Sequence, residues 1–150
     1  MIRAVVGGEP RCAQVLESQV DVGDDCQVWI AYSPTEHLGC VFQMVGPRLH
    51  KSPGKESKEL AGRISQALRD ALGGTGRIRP PSISDLGLRE HLDARLPSTL
   101  VYLPPDQEDY LESRGGALLA ASAIYTGMEN WRLWLVGKDT RMSSTLHLHR

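Results

Sequence analysis

Cys26-Gln27-Val28-Trp29-Ile30-Ala31-Tyr32 and Leu38-Gly39-Cys40-Val41-Phe42-Gln43-Met44-Val45 are two apolar, β-favouring runs. A striped helical segment follows them and stops at Gly73-Gly74. The five residues Ser33-Pro34-Thr35-Glu36-His37 join the two runs. That length is common in antiparallel hairpins and too short for a crossover between parallel neighbours. In the helical segment Leu60, Ile64, Ala67, Leu68 and Ala71 recur at spacings of three and four, so one stripe faces a sheet. Ser52 followed by Pro53, or Ser57, gives a start signal, and Gly73 gives a left-handed C-cap.

Working outward, Met1 to Val6 reads as a short strand stopped by Gly7-Gly8. Glu9 to Gln19 reads as a short helix, with Cys12, Val15, Leu16 and Gln19 on one face and Pro10 in its first turn. Residues 73–83 read as a Gly/Pro/Arg-rich loop, because Pro80-Pro81 excludes helix. Ser84 or Asp85 opens a short helix carrying Leu86, Leu88 and Leu92. Thr99 to Leu103 is a strand stopped by Pro104-Pro105. Asp106 then caps a helical region to about residue 126, with Gly115-Gly116 weakening its middle and Gly127 ending it. Trp131 to Val136 reads as a last strand, and residues 142–150 as an edge strand or mobile tail. The order β-α-β-β-α-α-β-α-β predicts an α+β fold: one compact domain over 1–150, with helices packed on a mixed, mostly antiparallel sheet. The order loosely resembles that of ribonuclease H-like folds, but the carboxylates such two-metal enzymes need are missing: no acid lies between Cys26 and Ser33, and Asp106 comes only after Pro104-Pro105.

A chain of 150 residues can bury about 68–70% of its unfolded surface. With one Phe among a 41% hydrophobic fraction, the core must be mainly aliphatic. The net charge is −1, from 17 basic and 18 acidic residues, which disfavours nucleic acid as a partner. Arg48, Lys51, Lys55 and Arg77 are the residues that would make such a contact. Three cysteines without a Cys-x-x-Cys pair do not form a disulfide framework, so a reducing, cytoplasmic setting is expected. No leader-like stretch opens the sequence, and no run reaches the ~20 apolar residues needed to span a bilayer.

The candidate chemistry is sparse. Gly54-Lys55 sits between strand and helix but lacks the other P-loop residues, with Leu49 and Glu56 in their places. His50 and Ser52 form a His-x-Ser pattern of the kind paired in two-histidine phosphoesterases, with His147 or His149 as second imidazole. His147 and His149 would share one face of a strand, where a divalent metal is the other option. Glu36-His37 and Glu90-His91 read as exposed pairs. No cofactor is called for. Trp131 and Trp134, three apart on a strand, would point to opposite faces, leaving one free for a partner. The Ala-rich segment 117–125 would then complete a docking surface or homodimer contact. The expected function is accordingly a non-catalytic protein-binding molecule, whether adaptor, inhibitor or assembly subunit. A small phosphoesterase or nuclease-like hydrolase using His50 and Ser52 is the alternative.

Overall fold

The computed structural model describes residues 2–33, 41–43, 51–73, 78–79 and 96–148, of which 41–43, 51–53, 78–79 and 138–148 are described by backbone alone. The strands are β1 (Arg3–Gly8), β2 (Asp21–Val22), β3 (Cys26–Tyr32), β4 (Val41–Gln43), β5 (Ile78–Arg79) and β6 (Ser98–Leu103). The helices are α1 (Arg11–Gln19), α2 (Lys51–Leu72), α3 (Glu108–Leu111) and α4 (Arg114–Leu148), with a 3-10 turn at Pro105–Gln107 ahead of α3. No helix among the described residues is long and apolar enough to cross a membrane.

The sheet runs β2-β1-β3-β6-β4-β5. β1 pairs in parallel with both β2 and β3, β3 with β6, and β4 with β5; the β4–β6 pairing is antiparallel. The expected mostly antiparallel sheet is therefore corrected to a predominantly parallel one. The error lies in one link. β3 and β4 do run in opposite directions, as the short connection suggested, but β6 lies between them and pairs with both. A short link fixes how far apart two strands can be, and one intervening strand at ~4.8 Å spacing is within its reach.

α1, α2 and α4 share one core with a single sheet face, that of Ala4, Val6, Cys26, Val28, Ile30, Val101 and Leu103. On the other face Gln27, Leu100 and Tyr102 are buried as well. β6 is buried along its whole length, as a central strand should be. α2 follows its expected stripe: Leu60, Ala61, Ile64 and Leu68 are buried. Gly73 closes it with φ +76°, and its N–H donates to the Arg69 carbonyl at 2.8 Å.

The largest correction concerns the C-terminal region. The strand expected at 131–136 and the edge strand or tail expected at 142–150 belong to α4, a helix 35 residues long that reaches Leu148. Residues 149–150 lie outside the described part. Ala117, Ala120, Ala121, Ile124, Met128 and Trp131 are buried at spacings of three and four, one uninterrupted helical stripe. Gly115-Gly116 marks the start of this helix, where Ser113 Oγ accepts the Gly116 N–H at 3.1 Å. Gly127 does not end it. A Cβ there would lie 2.5 Å from the Ile64 Cα, so Gly127 is where α4 crosses the backbone of α2. The helix expected near residues 84–97 and most of the loop at 73–83 lie outside the described residues, apart from β5.

Gly127→Ala must push the two helices apart and is expected to lower stability by about 1–3 kcal/mol, the usual cost of overpacking. Gly137→Ala, where an added Cβ meets nothing within 4 Å, should instead gain up to about 1 kcal/mol from helix propensity. Urea unfolding midpoints of the two variants check the contrast.

Candidate functional site

The parallel strands β1, β3 and β6 end together, and their carboxyl edge is where sequence and fold bring polar groups into contact. β1 leads through Glu9 and Pro10 into α1, β3 ends at Tyr32-Ser33, and β6 ends at Leu103-Pro104. The strand order reverses here: β2 lies on one side of β1 and β3 on the other. In open, mainly parallel sheets such a reversal is the place where ligands bind.

Glu112, at the corner between α3 and α4, joins three segments at this edge. Its Oε2 accepts the Tyr32 hydroxyl at 2.7 Å and the Arg11 backbone N–H at 2.9 Å. The Arg11 guanidinium Nη1 donates to the Glu112 carbonyl at 3.0 Å. Pro10 offers α1 no side-chain cap. Glu112 takes over that role, satisfying an orphan N–H and placing negative charge at the positive end of the helix. Burial, and then the hydrogen bond to Glu112 and its charge, push the Tyr32 phenol well above its ordinary value. Tyr32 therefore stays a donor across the physiological range. The result is a phenol fixed as donor beside a carboxylate at an exposed edge, a pair able to hold a water molecule or pass a proton.

Beneath this cluster, burial and then the Glu112 charge push the Cys12 thiol up to about 12. Burial and then Asp25 push Cys26 up to about 12. Both thiols are free and buried, and behave as small hydrophobes. Among the described residues no group of three or more His, Cys, Asp or Glu is arranged to hold a metal ion.

The described residues among those singled out in the sequence do not converge here. Trp131 is 1% exposed, and its indole N–H donates to the Glu56 carbonyl at 3.0 Å. Trp134 packs partly buried against the same core. On a helix two residues three apart lie on nearly the same side, so the expected free tryptophan face is absent. The Ala-rich segment 117–125 spends most of its small side chains on that core too. Lys55 is exposed on α2, and Lys51 is the first residue of α2. Arg48, Arg77, His50 and His149 lie outside the described residues, as do the Glu36-His37 and Glu90-His91 pairs.

Ser52 is in the first turn of α2, and His147 is near the end of α4. These positions lie toward the amino edge of the sheet: Ser57 Oγ accepts the N–H of Ser98, the first residue of β6, and Glu129 accepts the N–H of Ile2. Measured along the helices from the Trp131–Glu56 contact, Ser52 is about 6 Å away and His147 about 24 Å, at 1.5 Å per residue. His147 lies in the helix α4 and not on the expected strand, and His149 lies outside the described residues. The Tyr32–Glu112–Arg11 cluster escaped sequence reasoning because its members are separated by up to 101 positions. The one local signal was Pro10 opening a helix without a capping side chain.

No protein-family model and no curated protein sequence matches the chain. Solved structures do resemble it. The N-acetylmuramoyl-L-alanine amidase AmiC2 of Nostoc punctiforme superposes with a TM-score of 0.54 at 14% identity, over 87% of this chain and 97% of the amidase chain. The catalytic domain of CwlV, an N-acetylmuramoyl-L-alanine amidase from Bacillus (Paenibacillus) polymyxa var. colistinus, gives 0.55 at 13% identity, over 87% and 98%. The chain thus shares the fold of these amidases across nearly their whole compared length. The expectation of a non-catalytic protein-binding molecule is corrected by this likeness. It rested on missing motifs and on an exposed tryptophan, whereas the fold is one shared with two amidases and Trp131 is buried.

Glu112→Gln should bring the Tyr32 phenol down toward its ordinary value, read as phenolate absorbance during alkaline titration. The thiols supply a second expectation. Folding favours their protonated form, so their contribution to stability is complete below the ordinary value of 9.0 and is lost as pH rises from there toward about 12. Unfolding midpoints should fall across that window, and Cys12→Ala or Cys26→Ala should flatten the decline.

Proposed function

We propose that this chain is a hydrolase of amide bonds, acting at the carboxyl edge of its parallel strands. The observation that carries the reading is the superposition on nearly the full length of two N-acetylmuramoyl-L-alanine amidase chains. The activity of those proteins suggests the substrate class: the amide joining an N-acetylmuramoyl group to L-alanine. The reversal of strand order supports the location. Within the described residues, Glu112 is the carboxylate placed to accept a proton from water there, and Tyr32 is the phenol that orients it.

The test is incubation of the purified chain with N-acetylmuramoyl-dipeptide and with intact peptidoglycan, with and without added divalent ions. The readout is newly freed L-alanine amino groups. Release is expected, reduced by about a hundredfold or more in Glu112→Ala, a size in keeping with loss of a general base. No release from folded protein under any of these conditions overturns the reading. Turnover of p-nitrophenyl phosphate without amide cleavage would favour the phosphoesterase alternative instead.

A further inference from the structure

On the helical layer, α2 and α4 leave between them a groove of about 380 Å³. Its size lies within the range of small-molecule sites. α4 contributes Ser122, Thr126 and Asn130, and α2 contributes Arg63, Gln66 and Asp70. Ala67, Ala71 and Ala123 line it with methyl groups, and Leu119 completes its apolar surface.

The two rows are committed to different degrees. Gln66 donates to Asp70 at 2.9 Å and accepts from Arg69 at 2.9 Å. Arg63 faces Glu59 at 3.5 Å in a pair whose side chains are 42% and 39% exposed. An exposed pair of this kind holds its partners weakly and yields to a competing carboxylate. Ser122, Thr126 and Asn130 are exposed and make no side-chain hydrogen bond among the described residues.

Spacing selects the ligand. Residues four apart on a helix are separated by about 6 Å along the axis, so Ser122, Thr126 and Asn130 form a ladder of donor-acceptor groups at that interval. In an extended peptide, groups facing the same way recur every ~6.6–6.8 Å. In a chain of three residues one of the two peptide groups faces this row, so a single rung serves it. α2 and α4 run in opposite directions, since Gly127 meets Ile64 while Trp131 bonds to Glu56. Arg63 accordingly stands at the Asn130 end of the ladder and Asp70 at the Ser122 end. Their seven-residue separation is about 10.5 Å. An extended chain of three residues spans about 10–11 Å.

From this geometry we infer that the α2–α4 groove binds a short extended peptide of about three residues with free ends, its carboxylate at Arg63 and its ammonium at Asp70. The methyl-lined floor favours small side chains. The inference does not rest on the proposed hydrolysis, and its test involves no turnover.

The probe is trialanine with free termini, titrated into the full chain while backbone amide shifts are followed. Saturable shifts confined to residues 63–70 and 119–130 are expected. Arg63→Gln and Asp70→Asn should each weaken binding by about two- to fivefold, the worth of an exposed ion pair. Capping both ends of the peptide should cost about as much as the double variant. Both substituted positions face solvent, so folding is preserved, and circular dichroism confirms it. Absence of saturable shifts up to tens of millimolar overturns the inference, as does equal affinity for free and capped peptide. Shifts of the same amides by chitooligosaccharide but not by trialanine would also overturn it, marking the groove as a glycan site.

Discussion

The seating of α4 against α1 and α2 is the constraint on which the rest of the molecule depends. α4 begins at the carboxyl edge of the sheet, beside Glu112, and reaches the amino edge by Glu129, whose carboxylate accepts the Ile2 N–H at 3.2 Å. Its alanines let it lie close, and Gly127 lets two backbones meet. Trp131 then closes the far end of the core with its one polar atom satisfied. Each fully buried large apolar side chain in this layer contributes about 1.5–3 kcal/mol of transfer free energy. Because three helices bury one common face, displacing α4 would uncover both α1 and α2 and expose the sheet beneath them.

The local elements were legible because each obeys a short-range rule. α2 shows its stripe, its start and its glycine stop within a single stretch, and β6 shows an apolar run bounded by prolines. What could not be read was pairing. The sequence around 33–40 states that two strands are near one another and opposed, but not that β6, some sixty positions later, lies between them. Gly127 and Gly115-Gly116 were misread for a related reason. A glycine that ends a helix and a glycine that admits a neighbouring backbone look alike until the neighbour, here Ile64, is known. In Trp131-Arg132-Leu133-Trp134-Leu135-Val136 the tryptophans and Val136 favour a strand while Arg132, Leu133 and Leu135 favour a helix; Trp131, Trp134 and Leu135 continue a helical stripe begun at Ala117, and packing decided the outcome.

The candidate site was less legible than the fold. Histidines drew attention because their chemistry is familiar, but Ser52 and His147 stand toward the amino edge and are separated along the helix layer. The contacts that do form at the carboxyl edge come from a tyrosine ending a strand, a backbone amide opening a helix and a glutamate in a corner. None of these is unusual in sequence. Their meeting is a product of parallel topology, which brings the ends of β1, β3 and β6 to one border and starts α1 and α4 there.

The Tyr32–Glu112 contact joins residues 80 positions apart, and the Arg11–Glu112 contact joins residues 101 apart. Contacts of such long sequence separation close large loops, at an entropic cost that short-range contacts escape. The hydrogen bond to the Tyr32 phenol therefore forms only where distant segments have met, and helices already in place are not enough to make it.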